Sequence, residues 1–528
     1  MQLAALHNAG SIDMLALTAA PEFLNLDKRH FFAMQQIYYG VIPRLEAPPL
    51  AMLEMVGRLV TKGGNDGLAT MPREALRRWI GRDPTRAKDI ITAAESDPGM
   101  DREVLREALV TLADLSLVKW FLAVADQRRQ AAIAALGGIK PQNLQAGNEA
   151  FTELVGIAAT DPSEDMRFTA IFAAFGLFQY CKVHASPWVP RLIAAVTAAP
   201  SEATRTALLQ GLWRHSGLFQ EADIKATLAL VSDADLPPAL RMLEGTLSHL
   251  VAGPHHDLAI DCLTNLLASD GTAVSLEDCP GLEHRLMNLD PTQLFALAVR
   301  WFATGDRKLC ESMTKLIGAV HQPQPFDATL AGRGLSGSQM IVICHKAIGY
   351  LILAPAVAAS FVVAALRAVD KTVQRELVQL LLQSVLINYG ETAAVYLKNI
   401  PKGDAAYQRV RQALKLYRAY EEDLNIRRPI KELLPSSYQR GAVRQKHYVT
   451  GREIRKQAEQ KSVFFGLVQH STLLYGRKAI AYVRGADEPP VSMEMKTISA
   501  GFAMPRLQII DPVGLDWLIR IFRVSKPK

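Results

Sequence analysis

The chain has 528 residues, of which 49% are hydrophobic and 21% charged, and it holds five cysteines. That balance is enough to bury a sizeable core, and it excludes a disordered chain and a disulfide-framed mini-protein. The net charge of +7 is uneven: residues 402–528 carry 24 Lys and Arg against 12 Asp and Glu, so the whole basic excess lies in the last quarter.

At the N-terminus the first Lys or Arg is Lys28, and no basic segment precedes an apolar stretch, which predicts no secretory or transit peptide. Residues 1–90 read as an N-terminal helical region. Residues 91–425 read as successive amphipathic helices, with apolar residues recurring at steps of three and four, as in LVGIAATDPSEDMRFTAIFAAFGLFQY. Short turns separate them at Asp97-Pro98, Asp161-Pro162, Pro200-Ser201, Pro237-Pro238, Asn388-Tyr389-Gly390 and Pro401-Lys402-Gly403. Cys181, Cys262, Cys279, Cys310 and Cys344 are widely spaced, which excludes a zinc ribbon and fits a reducing cytoplasm. Cys181-x-x-His184 lacks a second ligand pair, so it reads as a buried thiol and not a metal site.

One pattern recurs. An aliphatic helix ends, a turn with Asp or Pro follows, and an arginine sits just inside the next helix: Arg167, Arg205, Arg241 and Arg375. This resembles the HEAT-type helical repeat over residues 90–420. The resemblance implies a mainly α protein, a HEAT-like α-solenoid whose concave face binds a partner protein. It also implies a ladder of turn aspartates and helix arginines, here Asp161 or Asp165 with Arg167 and Asp370 with Arg375.

Three segments within the array invite chemical readings. His255-His256-Asp257 follows Gly253-Pro254 and reads as a polar turn at a helix start. GRGLSG, Gly332 to Gly337, has dinucleotide-motif spacing, but HQPQPFDATLA before it is no strand, so it reads as a loop ahead of a buried helix. Ala347 to Leu366 is uncharged and long enough to span a bilayer. Gly349, Pro355 and Ser360 interrupt it, so it reads as two buried helices meeting at Pro355, with no membrane.

Residues 426–528 read as a small basic α+β C-terminal domain. Thr450 and Glu453 have capping-box spacing and mark a helix start. Ile454, Ala458, Phe465 and Val468 would face inward. STLLYGRKAIAYVRG predicts two strands around Gly476-Arg477, PVSMEMKTISAGFAMPRLQII more strand, and DPVGLDWLIRIFRVS a last helix with Asp511 as cap.

The cations here are the functional candidates. Arg452, Arg455 and Lys456 share a helix face, and Arg440, Arg444, Lys446, Lys461, Arg477 and Lys478 extend it. Cations displace counterions from phosphates, and Tyr438, His447 and Tyr448 could stack on bases, so the expected partner is nucleic acid or an acidic protein. Asp487 followed by Glu494-x-Lys496 resembles the core of PD-(D/E)-x-K nucleases. That resemblance implies Asp487 and Glu494 as Mg²⁺ ligands and Lys496 as the residue orienting water; an exposed charged hairpin is the other reading. No Walker-type phosphate loop occurs. The expectation is a cytoplasmic, non-catalytic adaptor without cofactor or metal. Its alternatives are a Mg²⁺-dependent nuclease and a purely protein-binding scaffold docking an acidic subunit.

Overall fold

A computed structural model describes residues 2–63, 70–181, 186–232, 239–268, 274–319, 324–427, 430, 436–461, 468–473, 478–483, 491–494 and 504–526. The protein is mainly α. It divides into two compact units, Met1–Leu282 and Glu283–Lys528.

The first unit is a two-layer stack of helices. In one layer Lys28–Val41, Thr70–Ile80, Arg102–Leu112, Gln127–Gly138, Glu164–Phe178, Glu202–His215 and Ala239–Val251 pack successively, each on the next. In the other, Leu144–Thr160, Trp188–Ala198, Glu221–Ser232 and His256–Ala268 do the same. Such alternation follows from amphipathicity, because a lone helix pair leaves apolar surface bare and the neighbouring pair covers it. Stacking thus begins ahead of residue 90.

Short polar side chains start these helices. Asp126, Ser163 and Ser201 each accept a hydrogen bond from a backbone N–H in the first turn, satisfying one of the donors that a helix start leaves orphaned. Between neighbouring pairs the hydrogen bonds join residues 37 to 40 apart: Gln130 to Thr169, Trp188 to Asn148, Ala203 to Glu164, and Thr246 to the Leu209 carbonyl. Glu164 thereby caps the next repeat. The Ser201 hydroxyl and the Ala203 amide hold its carboxyl below the usual range.

The expected ladder is not formed. Asp161 pairs with Arg129 of the preceding repeat, Nη2 to Oδ2 at 2.5 Å, and is buried there. The Nε atoms of Arg167 and Arg205 are buried without a hydrogen-bond partner. Asp161-Pro162-Ser163 is matched one turn later by Ala199-Pro200-Ser201, so the next turn offers no carboxylate. Asp370 caps its own helix through the amides of Thr372 and Val373, and Arg375 is exposed.

Glycines set the spacing of the first layer. A Cβ on Gly137 would lie 2.3 Å from the Ala173 carbonyl oxygen, one on Gly176 would lie 2.7 Å from the Gly137 oxygen, and one on Gly211 would lie 2.0 Å from the Phe175 ring. Helices Gln127–Gly138 and Glu164–Phe178 therefore touch backbone to backbone, and the Phe175 ring lies flush on Gly211 of the next. On the other side of the first-layer helices Phe151 stacks on Trp188 with centroids 4.5 Å apart, and Phe178 lies beside both. Burying an aromatic of this kind contributes about 1.5–3 kcal/mol.

In the second unit, Ser336 and Gln339 form a capping box that opens helix Gly337–Tyr350. Gly332 and Gly334 have positive φ in the loop before it. Pro355–Leu366 follows as a separate helix, buried along its length. Phe361 on it packs against Phe295, Phe302 and Phe326, with centroids 5.1 to 5.6 Å apart. The uncharged run is thus two core helices. Among the described residues no helix is long and apolar enough to cross a membrane.

Arg367 ends the second of these helices. It donates to the Ala328 carbonyl at 2.6 Å and to Asp404 at 2.5 Å, and it lies 2.9 Å from Asp327. Both Arg367 and Asp404 are almost fully covered.

The C-terminal quarter departs from expectation in three ways. A single helix, Ser437–Lys461, runs through Thr450, so Thr450 is interior and starts nothing. Three short strands, β1 Val468–Leu473, β2 Lys478–Val483 and β3 Val491–Glu494, pair antiparallel in sequence order, but Leu507–Ile510 is helical. The last helix, Pro512–Val524, capped by Asp511 through Gly514 N, is not part of a self-contained α+β domain. It packs on helix 337–350 because Leu515 and Phe522 have their apolar neighbours there.

Three substitutions test this packing. Gly137→Ala lowers the denaturant midpoint by an equivalent of about 1–3 kcal/mol through overpacking. Gly156→Ala, on an exposed helical position with nothing within 4 Å of the new Cβ, raises stability by about 0.4–1 kcal/mol. Asp404→Asn, which breaks a covered ion pair, costs roughly 3 kcal/mol at neutral pH. The Arg367 guanidinium holds the Asp404 carboxyl below the ordinary aspartate value. That stability is present above the unfolded value and is lost as pH falls through the lower native one. The gap between wild type and Asp404→Asn therefore closes on acidification below pH about 4, as read by chemical unfolding.

Candidate nucleic-acid interface

Ser436 begins the cationic helix. Its amide donates to Gln439 Oε1 at 2.8 Å, and the Gln439 amide donates back to Ser436 Oγ at 3.2 Å. This capping box, spelled Ser-Ser-Tyr-Gln, sits fourteen residues ahead of the expected start. The helix Ser437–Lys461 spans 25 residues, roughly 37 Å at 1.5 Å per residue. Arg, Gln, Lys, Glu and Ala are good helix formers and sustain it. Every described side chain from Ser437 to Val449 is exposed. Tyr438 is 84% exposed and Tyr448 67%, which for tyrosines leaves whole ring faces in water.

Arg440, Arg444, Lys446, Arg452 and Lys456 are all exposed, and none of them makes an ion pair with another described residue. Two of the three acids of the preceding helix, Tyr407–Arg427, are engaged elsewhere: Glu421 with Arg506 at 2.5 Å, and Asp423 with Arg427 at 2.8 Å. Arg455 and Lys461 belong to the cationic helix, but their side chains lie outside the described residues, as do those of Ile454 and Ala458. Lys478 opens β2 and is in register with Glu494 of β3. Arg477, Phe465, Asp487 and Lys496 lie outside the described residues.

The helix also brings together a row that a spacing of three and four partly hides. Arg440, Arg444, Tyr448, Arg452 and Lys456 follow one another at steps of four. Residues four apart are neighbours on a helix surface, so the five form one ridge, inclined to the axis and about 24 Å long. Lys446 and His447 project away from it. Chemically, the ridge offers four cations with fixed spacing and one aromatic ring in their midst. Guanidinium groups bind phosphate oxygens in pairs of parallel hydrogen bonds, and the ring offers a base a stacking surface.

Elsewhere the chemistry-bearing residues are accounted for structurally. His256 starts its helix, and its Nδ1 lies 3.0 Å from the Val251 carbonyl oxygen. All five cysteines are free. Burial raises the Cys279 thiol to about 11 and the Cys310 thiol to about 12, with nearby carboxylates adding to the effect. No cluster of three or more His, Cys, Asp or Glu suited to a metal ion occurs among the described residues. Along the glycine-spaced layer of the first unit runs a groove of about 690 Å³, lined by Phe168, Phe172, Gln179, Gln210, Arg214 and His215 among others. Phe172 there is exposed, and the Arg214 guanidinium lies 5.4 Å over its ring. No protein-family model matches the chain, and no curated protein is similar to it in sequence.

Proposed function

We propose that this chain is a non-catalytic adaptor of the HEAT-like α-solenoid type, acting in the cytoplasm. Its stacked helices hold a partner protein, and its cationic helix holds nucleic acid. The ridge of Arg440, Arg444, Tyr448, Arg452 and Lys456 carries this reading. A globular protein has no structural use for four cations and a tyrosine in water on a helix with no covered side chain among the described residues of 437–449. A polyanion does, because each phosphate neutralised releases condensed counterions. The ring supports nucleic acid over an acidic protein surface, since bases present π-faces. The aromatic and arginine-bearing groove of the first unit supports a protein partner, because such residues dominate interface energetics.

The test uses the full chain with fluorescent single-stranded and duplex oligonucleotides across a salt series. Binding weakens with salt with a log–log slope of roughly −3, as expected for about four phosphate contacts. Replacing Arg440, Arg444, Arg452 and Lys456 together by Gln abolishes most of the affinity and flattens the slope. Tyr448→Ala weakens single-strand binding by about 1–3 kcal/mol with the slope unchanged. No binding at low salt, or unchanged binding by the fourfold variant, would overturn the nucleic-acid reading. Oligonucleotide shortened in the presence of Mg²⁺ would overturn the non-catalytic one.

A further inference from the structure

The terminal helix Pro512–Val524 is apolar on two faces, and only one of them is used. On the used face Leu515 and Phe522 are buried. Phe522 stacks on His345 with centroids 4.6 Å apart and planes 15° from parallel. Arg523 Nε donates to the Gly349 carbonyl at 2.9 Å, and its guanidinium lies 4.6 Å over the Tyr350 ring. The Lys346 ammonium donates to the Arg523 carbonyl, and His345 Nδ1 meets the Ser525 hydroxyl at 3.0 Å. These contacts fix the helix in orientation.

The opposite face is bare. Val513, Trp517, Ile521 and Val524 recur at steps of four, four and three, with Ile510 just ahead. They fall within about 80° of the helix circumference, the narrow seam of a helix built to pair. Val513 is 79% exposed, Trp517 67% and Ile510 75%, with Ile521 and Val524 exposed as well. Single exposed apolar residues are ordinary, but a contiguous stripe on a firmly docked helix marks an interaction surface.

Charge on the stripe's border identifies what covers it. Asp516 and Arg520 both lie on the same flank of the seam, one in each half of the helix, and pair with each other at 3.0 Å. A two-fold axis across the helix lays like flank against like flank with the directions reversed. Asp516 of one copy then meets Arg520 of the other, twice over, while the apolar seams close on each other. A parallel pairing would set this flank against the opposite one, which carries Gly514 and Leu518 and offers no charge to match. Asp511 at the start of the helix and Lys526 just beyond it continue the same acidic-to-basic polarity.

We propose that helix Pro512–Val524 pairs antiparallel, across a two-fold axis, with the same helix of a second copy of this chain. The inference stands apart from the nucleic-acid reading, since it uses different residues and a different partner. One helix pair is a small interface, so association lies at the weak end of specific complexes.

Sedimentation velocity of the full chain over a wide concentration range tests it. Wild type shows a concentration-dependent monomer–dimer equilibrium. Trp517→Glu stays monomeric with an unchanged circular dichroism spectrum, because the residue touches solvent and not the core. Asp516→Arg alone and Arg520→Asp alone each weaken dimerisation by roughly tenfold or more. Mixed in equal amounts, these two variants dimerise with each other, since the surplus cations of one face the surplus carboxylates of its partner. Loss of the pair within a single helix cannot produce that recovery. A wild-type chain that is monomeric at every concentration, or variants that fail to complement on mixing, would overturn the proposal.

Discussion

Backbone-to-backbone approach of helices in the first unit is the constraint from which much else follows. Gly137 and Gly176 let two successive helices meet with no side chain between them, and Gly211 leaves room for the Phe175 ring against the third. Helices that close cannot slide or rotate without steric overlap, so the register of each repeat on the next is fixed. The side chains around that seam then have defined places. Glu164 reaches the start of the next repeat, Gln130 reaches Thr169, and Trp188 reaches Asn148. The groove containing Phe172 and Arg214 runs along the same seam, so it inherits rigidity from the glycines beneath it.

The second unit is held differently. Its apolar helix Pro355–Leu366 is wrapped by aromatic rings, and its polar anchor is Arg367, whose guanidinium gathers Asp404, Asp327 and a carbonyl. Burying an arginine is unfavourable unless its donors are matched, and here five N–H groups find several oxygens. The terminal helix is tied to this unit by stacking and by helix-end hydrogen bonds. Arg129, Arg367 and Arg523 are thus engaged by the fold, whereas Arg440, Arg444, Lys446, Arg452 and Lys456 are exposed and make no ion pair among the described residues. That division of labour among cations is the physical basis of the proposed function.

Much of this was legible from residue order, and the exceptions have reasons. The helical character of residues 91–425, the split of the uncharged run at Pro355, the turn before Gly337 and the Asp511 cap were all readable, because each rests on local chemistry: periodicity, proline, glycine and capping. The aspartate–arginine ladder was misread because a turn acid can serve either neighbour. Asp161 turned back to Arg129, a choice made by three-dimensional packing. The glycine seam was missed because glycines inside helices look like defects until the facing helix is seen. The start of the cationic helix was misplaced because two capping signals compete there, and Ser436 with Gln439 prevailed over Thr450 with Glu453. Asp487 and Lys496, on which the nuclease resemblance rested, lie outside the described residues. For the interface, the sequence supplied the cations, but their alignment with Tyr448 in one ridge needed the uninterrupted helix.

The proposed function requires that the cations of Ser437–Lys461 be free for a partner and contribute nothing to the fold. The most direct check is the unfolding free energy of the full chain with Arg440, Arg444, Arg452 and Lys456 all replaced by Gln, measured without nucleic acid. Stability within about 0.5 kcal/mol of wild type is predicted, as for surface positions free of internal contacts. A loss of several kcal/mol would show these groups to be structural, and would contradict the claim.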